Sequence, residues 1–132
     1  MVVDDDAMVR GVVVRQVTLA GFSPVGAAGT AVEVESFFGR EGATVDVALL
    51  DVNMPDCSGP ELARRLRARD PFLPVVFMSG VDPMGADTAA LGDAFLAKPF
   101  SLDQLKEALR TAAQGGRGLQ RRERQIGVAS SA

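Results

Sequence analysis

The chain has 132 residues, 47% of them hydrophobic, a size that suits one compact domain with a single core. Its formal net charge is −3, with one cysteine, Cys57, and no histidine, so an internal disulfide, the usual zinc constellations and Ser-His-Asp or Cys-His catalysis are excluded. No apolar run approaches the roughly 18 residues of a membrane span, and the basic and apolar regions of a secretory signal are missing, so a cytoplasmic protein is expected.

In chain order, MVVD predicts a short strand, and AMVRGVVVRQVTLAG then sets Val9, Val12, Val13, Val17 and Ala20 at helical spacing before Gly21. SPVGAAG offers at best a poor second strand. TAVEVESFFGREG carries Ala31, Val34, Phe37 and Phe38 on one helical stripe that ends near Gly39 or Gly42. VDVALLD and PVVFMS are near-continuous β-branched or apolar runs, the pattern of strands covered on both faces in a parallel sheet. Between them, Ser58 and Glu61 fit a capping box ahead of LARRLRARD, a helix that stops at Asp70-Pro71. VDPMGADTAALGD is rich in Gly and Asp and predicts only a short helix around 84–91, after which AFLA gives a fifth strand. Ser101 and Gln104 form a second capping box, opening LDQLKEALRTAA with Leu102, Leu105, Leu109 and Ala112 on its buried side.

Charge is unevenly spread. Residues 1–114 hold 16 acidic against 10 basic side chains, whereas 115–132, GGRGLQRRERQIGVASSA, hold 4 Arg and 1 Glu. The first stretch is expected to fold as the domain and the second to form a mobile basic tail. Arg117, Arg121, Arg122 and Arg124 lack interleaved aromatics and make a small electrostatic footprint, so a nucleic-acid partner is not expected.

Five β-α units in 114 residues imply a doubly wound α/β sheet with helices on both faces, because parallel strands need crossover connections. Such folds bind ligands beyond the carboxyl ends of their strands. Asp4, Asp5 and Asp6 follow strand 1, Asp51 ends strand 3, Ser79 ends strand 4 and Lys98 follows strand 5. The Asp triplet also suits a cap on the first helix. An oxygen-only cluster of carboxylates suits Mg²⁺. With no histidine in the chain, the natural reaction is attack by a carboxylate on a phosphoryl group, giving an aspartyl phosphate, with Mg²⁺ and Lys98 offsetting the phosphoryl charge.

VVDDD, LLDVNMPDCSG, VVFMSG and AFLAKPFS, taken together, resemble the successive signatures of the receiver domain of bacterial two-component response regulators, over about residues 2–113. The resemblance implies a flavodoxin-like, five-stranded parallel sheet of order 2-1-3-4-5. It makes Asp51 the phosphoacceptor, Asp5 a direct Mg²⁺ ligand beside Asp51, and Asp4 a ligand acting mainly through bound water. Asn53 would give its backbone carbonyl to the metal. Ser79 matches the hydroxyl switch position, Phe95 the rotating aromatic and Lys98 the phosphate-contacting lysine, and the Lys98-Pro99 bond would be cis. A histidine kinase or histidine phosphotransfer protein would donate the phosphoryl group, and the surface of helix 4, strand 5 and helix 5 would change its preference for protein partners or for a second copy. Such a domain catalyses only its own phosphorylation and dephosphorylation and is not otherwise an enzyme.

Two other readings compete. One is a degenerate receiver that binds partners without phosphorylation. The other is a phosphatase of the haloacid dehalogenase kind, which needs a second Asp where Asn53 stands. Only Met1 to Val3 precede Asp4, which predicts a short first strand, and the interval from Ser79 to Lys98 predicts a reduced helix 4. Asp82 and Asp87 in that interval have no assigned role, and Cys57 reads as an inert loop residue. No output domain is legible after helix 5, which favours a stand-alone receiver or a phosphorelay carrier; a receiver cut from a hybrid kinase would read the same way.

Overall fold

Strand and helix alternate from Val2 to Gln114, and a second helix follows directly. The computed structural model describes residues 1–40, 42, 44–80 and 85–126. The order is β1 (Val2–Val3), α1 (Ala7–Leu19), β2 (Ala27–Ala28), α2 (Ala31–Phe38), β3 (Ala48–Asp51) and α3 (Gly59–Arg69), followed by β4 (Val75–Ser79), α4 (Ala86–Leu91), β5 (Ala94–Ala97), α5 (Leu102–Gln114) and α6 (Gly116–Ile126). All pairings are parallel and the sheet runs β2-β1-β3-β4-β5, the doubly wound order expected from the sequence.

Successive residues of a strand face opposite sides of the sheet, and here both sides are covered. Val3, Leu50 and Phe77 join Ala31, Val34, Leu62 and Leu66 in the core on the α2 and α3 side. Val2, Leu49, Val76 and Met78 join Val13, Val17, Leu105 and Leu109 in the core on the α1 and α5 side. That two-sided burial explains the unbroken apolar runs of β3 and β4. In α1, Val13 and Val17 are buried and Val9 and Ala20 pack against the same cluster, but Val12 is 58% exposed. At about 100° per residue Val12 lies off the arc that Val9, Val13, Val17 and Ala20 share.

Helix ends follow the sequence signals with one difference, at α3. The Ser101–Gln104 box is complete: Gln104 N donates to Ser101 Oγ at 3.1 Å and Ser101 N donates to Gln104 Oε1 at 2.8 Å. At α3, Glu61 N donates to Ser58 Oγ at 3.2 Å, but the Glu61 carboxylate instead meets Arg64 at 3.4 Å and Arg65 at 3.5 Å. The helix expected around 84–91 is α4, tied to α3 by Arg64 and Asp87 at 3.2 Å; Val81, Asp82, Pro83 and Met84 lie outside the described residues.

The largest correction concerns the segment expected to be a mobile tail. Over Gly116–Ile126 it is a helix that crosses the N-terminal edge of the sheet. Arg117 pairs with Asp93 at 2.9 Å, Arg121 pairs with Asp70 and donates to the Val45 carbonyl at 2.6 Å, and the Arg124 guanidinium sits 4.6 Å from the Phe72 ring centroid. Spacings of four and three place these arginines on one helical face. Residues 127–132 lie outside the described residues.

Asp93 is the hub of this edge. Its Oδ2 accepts from Arg67 Nη2 at 2.9 Å and from Val75 N at 2.8 Å, and Arg67 also donates to the carbonyls of Leu73 and Leu91. Removing one partner of a buried pair strands the other charge. Asp93→Ala should lower unfolding stability by about 3 kcal/mol, the low end for a broken buried pair because Arg67 keeps two carbonyls. Urea denaturation measures this, and an unchanged midpoint would refute the hub.

Candidate functional site at the carboxyl edge of the sheet

The strands end at one edge and deliver their last residues there. Asp4 follows β1, Asp51 and Ser79 are the last residues of β3 and β4, and Lys98 follows β5. Register sets Asp51 beside Met78 and Ser79 beside Ala97. Asp4 and Asp51 are buried, Asp51 only 6% exposed, and Ser79 is buried as well.

Lys98 closes the cluster. Its Nζ lies 2.5 Å from Asp4 Oδ2 and 3.4 Å from Asp51 Oδ2. The backbone N–H of Lys98 donates to the Ser79 carbonyl at 2.8 Å, and the Lys98–Pro99 bond is cis. The other oxygen of each carboxylate takes a local amide: Asp6 N donates to Asp4 Oδ1 at 2.9 Å and Asn53 N to Asp51 Oδ1 at 3.2 Å.

Burial pushes the Asp51 carboxyl above its ordinary range; the Asn53 amide and the Lys98 charge oppose the shift, and the Asp4 charge adds to it. Burial alone would lower Lys98, but the hydrogen bond to Asp4 and the charges of Asp51 and Asp4 outweigh it, so the ammonium is held above its ordinary 10.5.

The acidic triplet divides its work. Asp6 caps α1, its Oδ1 accepting from Met8 N at 2.9 Å and Val9 N at 3.2 Å. Asp4 and the exposed Asp5 turn to the pocket, where Asp4, Asp5 and Asp51 offer oxygens within 4.8 Å of one another. Three converging carboxylates, one of them exposed to solvent, fit a hard divalent cation such as Mg²⁺. A cavity of about 540 Å³ lies at the opposite edge, lined among others by Met1, Val47, Leu49 and Leu109, and takes no part in this chemistry.

Several supporting residues were not found from the sequence. A Cβ on Gly59 would stand 2.5 Å from the Asp51 carbonyl oxygen and 2.9 Å from Val52 Cα, so only glycine lets α3 begin this close to the acceptor strand. Arg10 Nη1 donates to the Asp4 carbonyl at 2.7 Å, bracing the turn after β1. Asp56 accepts from Ala31 N at 2.9 Å and Val32 N at 3.2 Å, capping α2 from the β3–α3 loop, and the Ala31 amide first among its partners holds its carboxyl below the ordinary range. Phe95 is 43% exposed, and Gly92 makes room for its ring and that of Phe77. Cys57 stays a half-buried thiol that burial pushes upward.

A family model described as the response regulator receiver domain matches residues 1–110. The response regulator MprA of Mycobacterium leprae is 34% identical over 113 residues, 83% of this chain and 48% of that protein. The C4-dicarboxylate transport transcriptional regulatory protein DctD of Rhizobium meliloti is 30% identical over 115 residues, 85% of this chain and 24% of that protein. This chain thus spans about half of the first and about a quarter of the second. Among solved structures, the signal receiver domain of the putative response regulator NarL from Mycobacterium tuberculosis superimposes with a TM-score of 0.75 at 28% identity, covering 87% of this chain and 94% of that one.

Two outcomes follow from the site's geometry. Gly59→Ala should cost about 1–3 kcal/mol, the usual penalty of overpacking against atoms that cannot yield; equal unfolding midpoints would contradict the close approach. The Lys98 contribution to stability is fully present below its ordinary 10.5 and lost as pH rises through its raised folded value. In EDTA, the urea midpoint of the unaltered protein should therefore fall more steeply as pH rises above about 10.5 than that of Lys98→Met. The Cys57 thiol titrates in both proteins and cancels; parallel slopes would sink the assignment.

Proposed function

This chain belongs to the response regulator receiver domain family, and from that premise we propose that Asp51 is its phosphoacceptor, fed by a sensor histidine kinase or histidine phosphotransfer protein. The observation that carries the proposal is the Lys98 ammonium bridging Asp4 and Asp51, with Asp5 alongside.

The Asp51 carboxylate oxygen forms a bond to phosphorus as the bond from phosphorus to the donor's imidazole nitrogen breaks, and the imidazole leaves with the electron pair. Lys98 favours the ionised nucleophile beforehand and faces the phosphoryl oxygens afterwards. Asp4, Asp5, Asp51 and the Asn53 carbonyl would hold Mg²⁺, which supplies neutralisation of phosphoryl charge when bound. The Ser79 hydroxyl hydrogen-bonds a phosphoryl oxygen, and Phe95, at the exposed face of β5, turns as that hydroxyl moves. The changed surface of α4, β5 and α5 then selects a protein partner or a second copy.

Residues 1–114 form the receiver domain in this reading, and its chemistry is confined to gaining and losing its own phosphoryl group. Turnover of outside phosphate esters is disfavoured by Asn53, an amide where a general acid would be needed. Among the described residues, no helix is long and apolar enough to cross a membrane. A cytoplasmic location is proposed from the class of partner.

Intact mass after incubation with Mg²⁺ and acetyl phosphate tests the reading, with Asp51→Asn alongside. A Mg²⁺-dependent gain of one phosphoryl group, absent in the variant, is expected. A variant that still gains it places the acceptor elsewhere.

A further inference from the structure

The strand β5 joins two charged clusters at opposite edges of the sheet. Lys98 follows its last residue and holds Asp4 and Asp51; Asp93 precedes its first and holds Arg117 of α6. The four residues of β5 lie between these two anchors, and the five steps from Asp93 to Lys98 span roughly 16 Å.

The Asp93 carboxylate is shared unequally. Arg67 is 10% exposed and is fixed further by the carbonyls of Leu73 and Leu91, the latter at the end of α4, while Val75 N bonds the same Asp93 oxygen. Arg117 is 34% exposed and takes the other oxygen. It is the weaker arm, being more open to water and salt.

Apart from the close approach of Gly118 to the α5 backbone, the described side chains hold α6 mainly through charge. Its anchors are Arg117 on Asp93, Arg121 on Asp70 and Val45, and Arg124 over Phe72, whereas Leu119 on the same helix is 48% exposed. An element docked through charges over a strand end is drawn from the low-stability part of a fold.

We propose that α6 is a latch coupled through β5 to the phosphorylation site, so that phosphorylation of Asp51 loosens α6 and release of α6 favours phosphorylation. The proposal rests on the reading of Asp51 given above. A phosphoryl group brings about −1.5 to −2 charges to the acceptor. It draws Lys98 away from Asp4 and shifts β5 with it; Asp93 keeps its hold on Arg67 and Val75, and the Arg117 contact yields. Coupling between two sites is reciprocal, so weakening the latch must raise the equilibrium preference for the phosphorylated state.

The test is amide hydrogen exchange of residues 116–124 in the full chain, before and after treatment with Mg²⁺ and acetyl phosphate, with intact mass on the same samples. Phosphorylated protein should exchange these amides roughly tenfold faster, a usual size for coupling between sites. Arg117→Ala should reach a higher phosphorylated fraction at fixed acetyl phosphate, while Arg122→Ala, which removes the same charge from an exposed position of α6, should match the unaltered protein. A phosphoryl gain with unchanged α6 exchange, or equal fractions in both variants, overturns the latch and leaves Asp51 as acceptor. No phosphoryl gain in any of the three proteins overturns the acceptor reading, and the latch falls with it.

Discussion

The Lys98 ammonium is the interaction on which the arrangement of this molecule turns. Asp4 and Asp51 are both buried at one sheet edge, and a cation between them offsets the cost of burying like charges together. Lys98 comes from 94 residues beyond Asp4 and 47 beyond Asp51, so the cation arrives only if β1, β3 and β5 all end at the same edge. The parallel order β2-β1-β3-β4-β5 meets that condition by placing β1 next to β3 and β5 two places further on. Sheet order and site electrostatics are therefore one constraint seen at two scales.

How much of this was legible in the sequence varies with how local each cause is. β3 and β4 were readable because burial on both faces leaves unbroken apolar runs, and Asp51, Ser79 and Lys98 were readable because each stands at the end of such a run. The Ser101–Gln104 box involves only one turn and formed as read; at Ser58 the same pattern gave half a box, because Arg64 and Arg65 compete for the Glu61 carboxylate. The Asp triplet offered pocket and cap together, and only three dimensions divided Asp4 and Asp5 from Asp6. Gly59 was opaque, since its need for no side chain comes from the Asp51 backbone eight residues earlier. α6 was misread because adjacent glycines and a run of arginines describe a loose tail when the partners Asp93, Asp70 and Phe72 lie far away in sequence.

The two edges of the sheet solve opposite electrostatic problems. At the amino edge the described carboxylates that α6 meets are paired: Asp93 serves two guanidinium groups and one amide, and Asp70 takes Arg121. Pairing of this kind leaves little charge free for a ligand, although its Arg117 arm stays open to water. At the carboxyl edge two buried carboxylates share one ammonium with the exposed Asp5 alongside, and burial keeps Asp51 above its ordinary range despite that ammonium. Such an imbalance is costly in a resting structure and useful in a reactive one, because a divalent cation completes it and a phosphoryl group then has positive charge waiting. Chemistry belongs at the undercompensated edge and paired charge at the other, and β5 is the strand that carries an anchor of each.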